Sequence, residues 1–288
     1  MKFVLAGDSG PTVGLGHRRR LEAVGDVLRS RGHDAAFVAV DDAPVPPGDV
    51  LVVDSYRTRA DDRARYPGPL VAAIDELGRD LGVEIVIDPT PGATWPAGAH
   101  AQRGFAGAGY AIVASEFAQP PRPPRPQPQR VLVTLGASAA GAAARPLANA
   151  LADRYPVLRV QAAVGPWLDT EPLPGVEFVS APDGLVDVIR DADIVITAGG
   201  VTLLESCASA RPTVVVPLAH NQRNAVAFLA RLGAARACEL DEVPDVLGEL
   251  LADEVGRDRL GRTARATIDG AGATRVAGAL IELAENGR

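Results

Sequence analysis

The stretch DIVITAGGVTLLESCASARPTVVVPLAHNQ, Asp193 to Gln222, decides how the chain folds. A β-branched run, Ile194 to Thr197, stops at Gly199 and Gly200. A helical-period segment, Thr202 to Ser209, follows, and a second β-branched run, Thr213 to Pro217, comes next. Apolar runs without alternation suit parallel strands covered on both faces. The order strand, glycine turn, helix, strand therefore predicts a βαβ unit. The turn also carries a chemical expectation. Glycines let the backbone approach a ligand, and the first helical turn offers unpaired N–H groups at a positive dipole end. Gly199, Gly200, Val201 and Thr202 are candidate ligands of a diphosphate. Glu205 has two readings: an acceptor for ribose hydroxyls, or the partner of Thr202 in a capping box. Asn221 and Gln222 stand where they either cap a helix or hydrogen-bond a sugar.

The same pattern extends in both directions. Upstream, short β-branched runs at Phe3 to Ala6, Ala36 to Val40, Val50 to Asp54, Leu70 to Ile74, Ile85 to Ile87 and Ala111 to Val113 predict strands, with helical segments between several of them. Then comes AQPPRPPRPQPQ, Ala118 to Gln129, with six prolines in twelve residues. That density excludes sheet and helix interior and predicts an extended, semi-rigid linker. Strands resume at Arg130 to Leu135, Leu158 to Val164 and Val176 to Val179. Helices are expected within Gly136 to Tyr155, after its glycine turn, and at Leu185 to Arg190, Asn221 to Leu232, Val243 to Ala252 and Ala273 to Glu285. The expectation is an α/β protein of two doubly wound, Rossmann-like domains facing a central cleft. Their bounds are 1–117 for the N-terminal domain, 118–129 for the linker and 130–272 for the nucleotide-binding domain. A terminal helix over 273–288 crosses back to the first domain.

Bulk properties narrow the class. The 288 residues suffice for two domains, and 47% hydrophobic content is ordinary for a folded protein. A net charge of −7 argues against a nucleic-acid surface. Lys2 is the only lysine. Cys207 and Cys238 cannot frame a disulfide scaffold, which suits a reduced cytoplasmic chain. No run approaches a transmembrane helix, and MKFVLAGDSG is too weakly apolar for a signal peptide. No membrane partner is expected, and the sequence assigns no oligomeric state.

Ligands of open α/β sheets bind beyond the carboxyl ends of the strands, so residues just after each strand are the candidates. After the first strand of the second half comes TLGASAAG, where Gly136 is a second candidate for approaching phosphate. It is not a P-loop, since the Lys–Ser/Thr pair is missing. After the very first strand comes GDSGPTVGLGH, ending in His17. Histidine suits general-base work because its unperturbed pKa of about 6.5 lies near operating pH. A histidine at a helix start is otherwise a cap or a surface residue. His33 and His100 read as structural and exposed, and His220 follows a strand end. Trp95 and Trp167 read as packing residues. No metal-ligand cluster is visible, and no cofactor is expected.

Taken as an ordered set, these motifs match a known pattern. Gly14, Gly16, His17 and Arg20 form Gly-x-Gly-His with an arginine three positions on. Asp54 and Tyr56 form Asp-x-Tyr after an early strand, and Asp75 and Glu76 form an acidic pair after the next. Gly109, Tyr110, Ala111, Glu116 and Phe117 precede the proline run, and Ala198 to Glu205 with Asn221 and Gln222 complete the set. From about residue 5 to 235 the chain resembles the PseG-type nucleotide-sugar hydrolases, which act on a UDP-linked diacetamido-trideoxy-altrose, within the MurG-like GT-B superfamily. Departures lie at Gly136-Ala137-Ser138-Ala139, which lacks an expected aspartate, and at Asp88-Pro89-Thr90. The resemblance implies that His17 draws a proton from water, which attacks the anomeric carbon and releases a nucleoside diphosphate without a metal. It implies substrate contacts from Gly14, Gly16, Arg20, Asp54, Tyr56, Asp75, Asn221 and Gln222. Whether Asp54, Asp75 or Glu76 orients His17 or binds sugar hydroxyls stays open. One alternative is a small GT-B glycosyltransferase with an acceptor hydroxyl in place of water. A second is a non-catalytic nucleotide-sugar binder.

Overall fold

The computed structural model describes residues 1–40, 45–66, 70–95, 101–137, 139–166, 171–179 and 184–286. The expectations for His100, Ser138 and Trp167 fall outside these residues. The chain divides into two units, Met1–Ser115 with the segment from Gly270 onward, and Glu116–Asp269.

The first unit is built on six strands: β1 (Lys2–Gly7), β2 (Asp34–Ala39), β3 (Val50–Asp54), β4 (Leu70–Ile74), β5 (Ile85–Asp88) and β6 (Arg103–Ala106). They lie in the order β2-β1-β3-β4-β5-β6, and every pair is parallel. Side chains alternate between the two faces. Phe3, Leu5, Val50, Val52 and Ala72 pack on one side with Leu21, Val24 and Leu28 of α1 (Gly16–Ser30) and with Val276, Ala277 and Leu280 of the C-terminal helix. Val4, Ala6, Leu51, Val53 and Val71 pack on the other with Tyr66, Leu81 and Val83. Burial on both faces is why these strands read as continuous apolar runs. Each fully buried leucine stabilises the fold by about 1.5–3 kcal/mol. The end of the chain is seated by Gly272, where a Cβ would lie 2.0 Å from the Ala111 carbonyl oxygen.

One expected strand is corrected. Ala111 to Val113 is buried but pairs with no strand. The sixth strand is β6, whose Gly104 lies so close to the Trp95 ring that no larger residue fits. Burial of 111–113 comes from packing against the C-terminal helix, and a short apolar run does not distinguish the two.

The second unit alternates in the same way. Its elements are β7 (Arg130–Thr134), α2 (Ala144–Arg154), β8 (Arg159–Ala163), β9 (Val176–Val179), α3 (Val186–Asp191), β10 (Ile194–Ala198), α4 (Val201–Ala208), β11 (Thr213–Val216), α5 (Arg223–Leu232), β12 (Arg236–Ala237), α6 (Val243–Ala252) and α7 (Glu254–Thr267). The C-terminal helix of the first unit is α8 (Gly272–Asn286). The sheet order is β12-β11-β10-β7-β8-β9, all parallel. Counted from β7, that is the doubly wound 3-2-1-4-5-6 order. Two elements have no counterpart in the sequence reading. β12 spans only two residues, and the buried face of α7 includes Arg257 and Gly261, which obscures its apolar stripe.

The proline-rich segment is extended, as its composition requires, but it belongs to the second unit. Prolines lack N–H groups, yet their carbonyls and those of their neighbours still need donors. Arginines from the second unit supply them. Arg190 donates to the carbonyls of Glu116 and Pro120, each at 2.8 Å. Arg265 reaches those of Phe117 and Ala118, and Arg257 that of Pro126 at 2.7 Å. The fully buried Arg211 donates to the carbonyl of Arg122. Arg125 of the segment itself pairs with Asp191 and Asp193. The expected linker is thus a strap fastened along one unit.

Candidate active site

Each sheet has one place where strand order reverses, and open α/β sheets bind ligands there, beyond the carboxyl ends of the strands. In the first unit β1 pairs with β2 on one side and β3 on the other, so the reversal lies between β1 and β3. The loop leaving β1 is pinched by reciprocal backbone bonds between Gly10 and Gly14, and α1 then starts at Gly16. That start puts His17 on the first helical turn and Arg20 one turn later on the same face. Asp54, the last residue of β3, meets both.

His17, Arg20 and Asp54 are 3%, 5% and 1% exposed. His17 Nδ1 lies 2.5 Å from Asp54 Oδ1. Arg20 forks onto the same carboxylate, with Nε to Oδ2 and Nη2 to Oδ1 both at 2.9 Å. Its Nη1 donates to Glu76, whose other oxygen accepts from the Tyr56 hydroxyl at 3.0 Å. The Tyr56 ring meets the His17 ring edge-on, with centroids 4.5 Å apart. An ionised carboxylate only accepts, so His17 donates from Nδ1, and in the neutral imidazole Nε2 keeps its lone pair. Nη2 of Arg20 also approaches Nδ1, at 3.3 Å, but the shorter contact to Asp54 sets the tautomer. Among the described residues, Nε2 has no hydrogen-bond partner.

The charges reinforce one another. Burial pushes the Asp54 carboxyl up, but the Arg20 guanidinium and the His17 hydrogen bond outweigh it and hold the group below its ordinary value. Burial disfavours charge on Arg20, and Asp54 with Glu76 more than offsets that. The Tyr56 phenol is pushed up by burial and then by Glu76. This geometry pairs Asp54 with His17, a choice the spacing alone leaves open.

Asp75 is elsewhere engaged. It is 2% exposed and accepts from the backbone N–H and Nε of Arg79, both at 2.7 Å. Arg79 in turn donates to the carbonyls of Ser55, Tyr56 and Thr58. Asp75 therefore holds the loop after β3 through Arg79, which engages both of its oxygens. A comparable cluster that the sequence reading omits is Asp8, 2% exposed, held by Ser55 at 2.6 Å and by Arg57. The available signal was the recurrence of aspartate at strand ends: Asp8, Asp54, Asp75 and Asp88. Asp88 bonds the Thr90 N–H, and burial raises its carboxyl.

In the second unit strand order reverses between β7 and β10. The loops that leave these strands carry Gly136 and the pair Gly199, Gly200. Gly136 has φ +97°, a conformation that favours glycine. Gly199 is required for a different reason: a Cβ there would meet Gln222 and Val226 at 2.7 Å. Its N–H donates to Gln222 Oε1 at 3.3 Å, and the same oxygen accepts from Leu218 at 2.9 Å and Ala219 at 3.3 Å. Gln222 is thus a clamp that ties the two loops and caps the turn His220–Gln222, where Asn221 also stands. Gly199 is consequently removed from the set of free amides.

The amides of Gly200, Val201 and Thr202 open α4 and have no hydrogen-bond partner among the described residues. The N-cap is Gly200, without a side-chain cap, so the Thr202–Glu205 capping box does not form. Glu205 is the fifth residue of α4 and is 4% exposed. Among the described residues, no group of His, Cys, Asp and Glu side chains forms a metal site, and no helix is long and apolar enough to cross a membrane. Both cysteines are free, and burial pushes the Cys207 thiol up to about 12.

Residues 169–270 match the Glycosyltransferase family 28 C-terminal domain. Over 114 residues the chain is 36% identical to the zeaxanthin glucosyltransferase of Pseudescherichia vulneris, covering 38% of this chain and 26% of that protein. The chain thus spans about a quarter of the length of that curated relative. Among solved structures it is similar to MurG of Acinetobacter baumannii, at 15% identity over 98% of this chain and 100% of that one, TM-score 0.61. It is also similar to the spinosyn rhamnosyltransferase SpnG complexed with thymidine diphosphate, at 16% identity over 99% and 100%, TM-score 0.66. At these identities the likeness is one of fold. The chain has the GT-B fold, two doubly wound parallel-sheet units, and its residues 169–270 are related to the C-terminal domain of glycosyltransferase family 28.

Proposed function

We propose that this chain is a nucleotide-sugar-dependent glycosyltransferase in which His17 is the general base. The observation that carries the reading is the His17 Nδ1–Asp54 Oδ1 bond of 2.5 Å at the strand reversal of the first sheet, with Nε2 left for a reacting group. Nε2 takes the proton of an acceptor hydroxyl. The hydroxyl oxygen bonds to the anomeric carbon of the donor as the bond from that carbon to the diphosphate oxygen breaks. The nucleoside diphosphate leaves with the electron pair, and configuration inverts. The imidazolium formed on His17 is stabilised against the Asp54 carboxylate.

The second unit holds the donor. The free amides of Gly200, Val201 and Thr202 at the start of α4 meet the charge that grows on the diphosphate. Gly136 lets the loop after β7 approach the same group, and Glu205 accepts the ribose hydroxyls. The match of residues 169–270 to a glycosyltransferase domain supports this assignment, as does the relative named a zeaxanthin glucosyltransferase. Both weigh for transfer over the hydrolysis that the sequence resemblance implies.

Hydrolysis stands as the second reading because Gly14, Gly16, His17 and Arg20 match the hydrolase pattern. The discriminating experiment incubates purified protein with UDP-, dTDP-, GDP- and CMP-sugars, first without and then with hydroxylated acceptors, and follows products by mass spectrometry. Transfer predicts glycosylated acceptor and only slow donor loss without it. Free sugar released at full rate without acceptor restores the hydrolase reading. No turnover of any donor that binds leaves a non-catalytic binder.

A further inference from the structure

The three bonds that Arg20 makes to carboxylates at the first site raise a separate question. Arg20 matches a pattern that implies substrate contact, yet it is 5% exposed and its guanidinium is engaged by Asp54 and Glu76. We propose that Arg20 is a positioning residue: its fork holds Asp54 as the acceptor of the His17 Nδ1 proton and so keeps the Nε2 lone pair available. This rests on His17 being the base.

Without Arg20, Asp54 would lose the cation that keeps it ionised. Asp54 is 1% exposed, and burial is the largest single influence on it, favouring the neutral acid. The groups around it are few. His17 and Arg20 come from α1, Glu76 follows β4 and bonds Arg20, and Tyr56 follows β3 and bonds Glu76. Asp8, after β1, is tied off by Ser55 and Arg57. Arg20 is therefore the only cation with a direct hold on Asp54 among the described residues. Remove it, and a protonated Asp54 becomes a donor to His17 Nδ1. The imidazole proton then moves to Nε2, and the nitrogen that must accept a proton no longer has a lone pair. The planar fork matters as well as the charge, because two parallel N–H···O bonds fix the carboxylate plane that His17 meets.

The test compares wild type with Arg20→Gln and Arg20→Lys, using two readouts. Nitrogen-15 NMR of the imidazole reports the tautomer without any substrate. Wild type is expected as the Nδ1–H form near neutral pH and Arg20→Gln as the Nε2–H form. Arg20→Lys keeps the charge without the fork and is expected to fall between them. In turnover assays, Arg20→Gln lowers kcat about a hundredfold with KM little changed, and the acid limb of its pH profile moves up by about one unit or more. A raised KM with unchanged tautomer and pH profile overturns the proposal and makes Arg20 a substrate contact. Should Arg20→Gln not fold, Arg20→Lys decides by the same two readouts. The outcomes separate the two claims. A wild-type turnover in His17→Ala sinks the base assignment, while the tautomer measurement still judges Arg20.

Discussion

The two strand reversals are built from different materials. At the first, between β1 and β3, the working parts are side chains: His17, Asp54, Arg20, Glu76 and Tyr56 grip one another in a closed circuit. At the second, between β7 and β10, they are mostly backbone: Gly136 and the first amides of α4, beside the Gly199 loop that Gln222 clamps. Moving a proton needs one nitrogen in one tautomer, which a firmly held acceptor on the other ring nitrogen fixes. Holding a diphosphate needs several donors on a concave surface, which glycine-rich backbone at a helix start supplies without side-chain entropy. In the proposed reading, the same topological position serves chemistry in one unit and binding in the other.

If that division is right, substitutions should separate turnover from nucleotide affinity. The largest effect is expected for Asp54→Asn, which replaces a group that only accepts by an amide that can also donate to His17 Nδ1. Turnover should fall by about 10²–10⁴-fold, with nucleoside diphosphate affinity by calorimetry unchanged. A parallel loss of affinity would break the comparison.

Gly199→Ala probes the other side. Its Cβ would come within 2.7 Å of Gln222 and Val226, so the Gln222 clamp must shift. Nucleoside diphosphate should bind about tenfold more weakly, or about 1.4 kcal/mol. Unaltered affinity would mean that this loop does not carry the ligand. Gly136→Ala is smaller. Nothing lies within 4 Å of the added methyl, so the cost is conformational, from φ +97°. Urea unfolding should show a loss of about 1 kcal/mol, and no loss would mean that the loop relaxes freely.

The smallest effect is on acid stability. Asp54 is held below its ordinary carboxylate value, because Arg20 and His17 outweigh the opposing effect of burial. With the folded value below the unfolded one of about 3.9, ionised Asp54 favours the folded state at all higher pH. That contribution fades as pH falls through the folded value. The stability gap between wild type and Asp54→Asn should therefore persist down to about pH 5 and close in stronger acid. A gap that closes by pH 5 contradicts the assigned direction.

Much of the fold was legible because burial on both faces makes parallel strands read as plain apolar runs. β1, β3, β4 and β10 were found nearly residue for residue. β6 was not, since RGFA has one large apolar residue and its place depends on Gly104 meeting Trp95. Ala111 to Val113 misled for the opposite reason: it is buried by α8 rather than by strand neighbours. The proline run announced an extended chain, but its fastening by Arg190, Arg211, Arg257 and Arg265 depends on residues more than sixty positions away. The site divides in the same way. His17 and the glycines after β10 are marked by local pattern. The pairing of Asp54 with His17, of Asp75 with Arg79 and of Gln222 with the Gly199 loop is tertiary, and local spacing does not encode it.

The most direct test of the division is to measure the His17→Ala protein twice, for donor turnover with acceptor and for nucleoside diphosphate affinity. Turnover reduced by about 10²-fold or more with wild-type affinity is the predicted result. Retained turnover, or affinity lost together with activity, would contradict it.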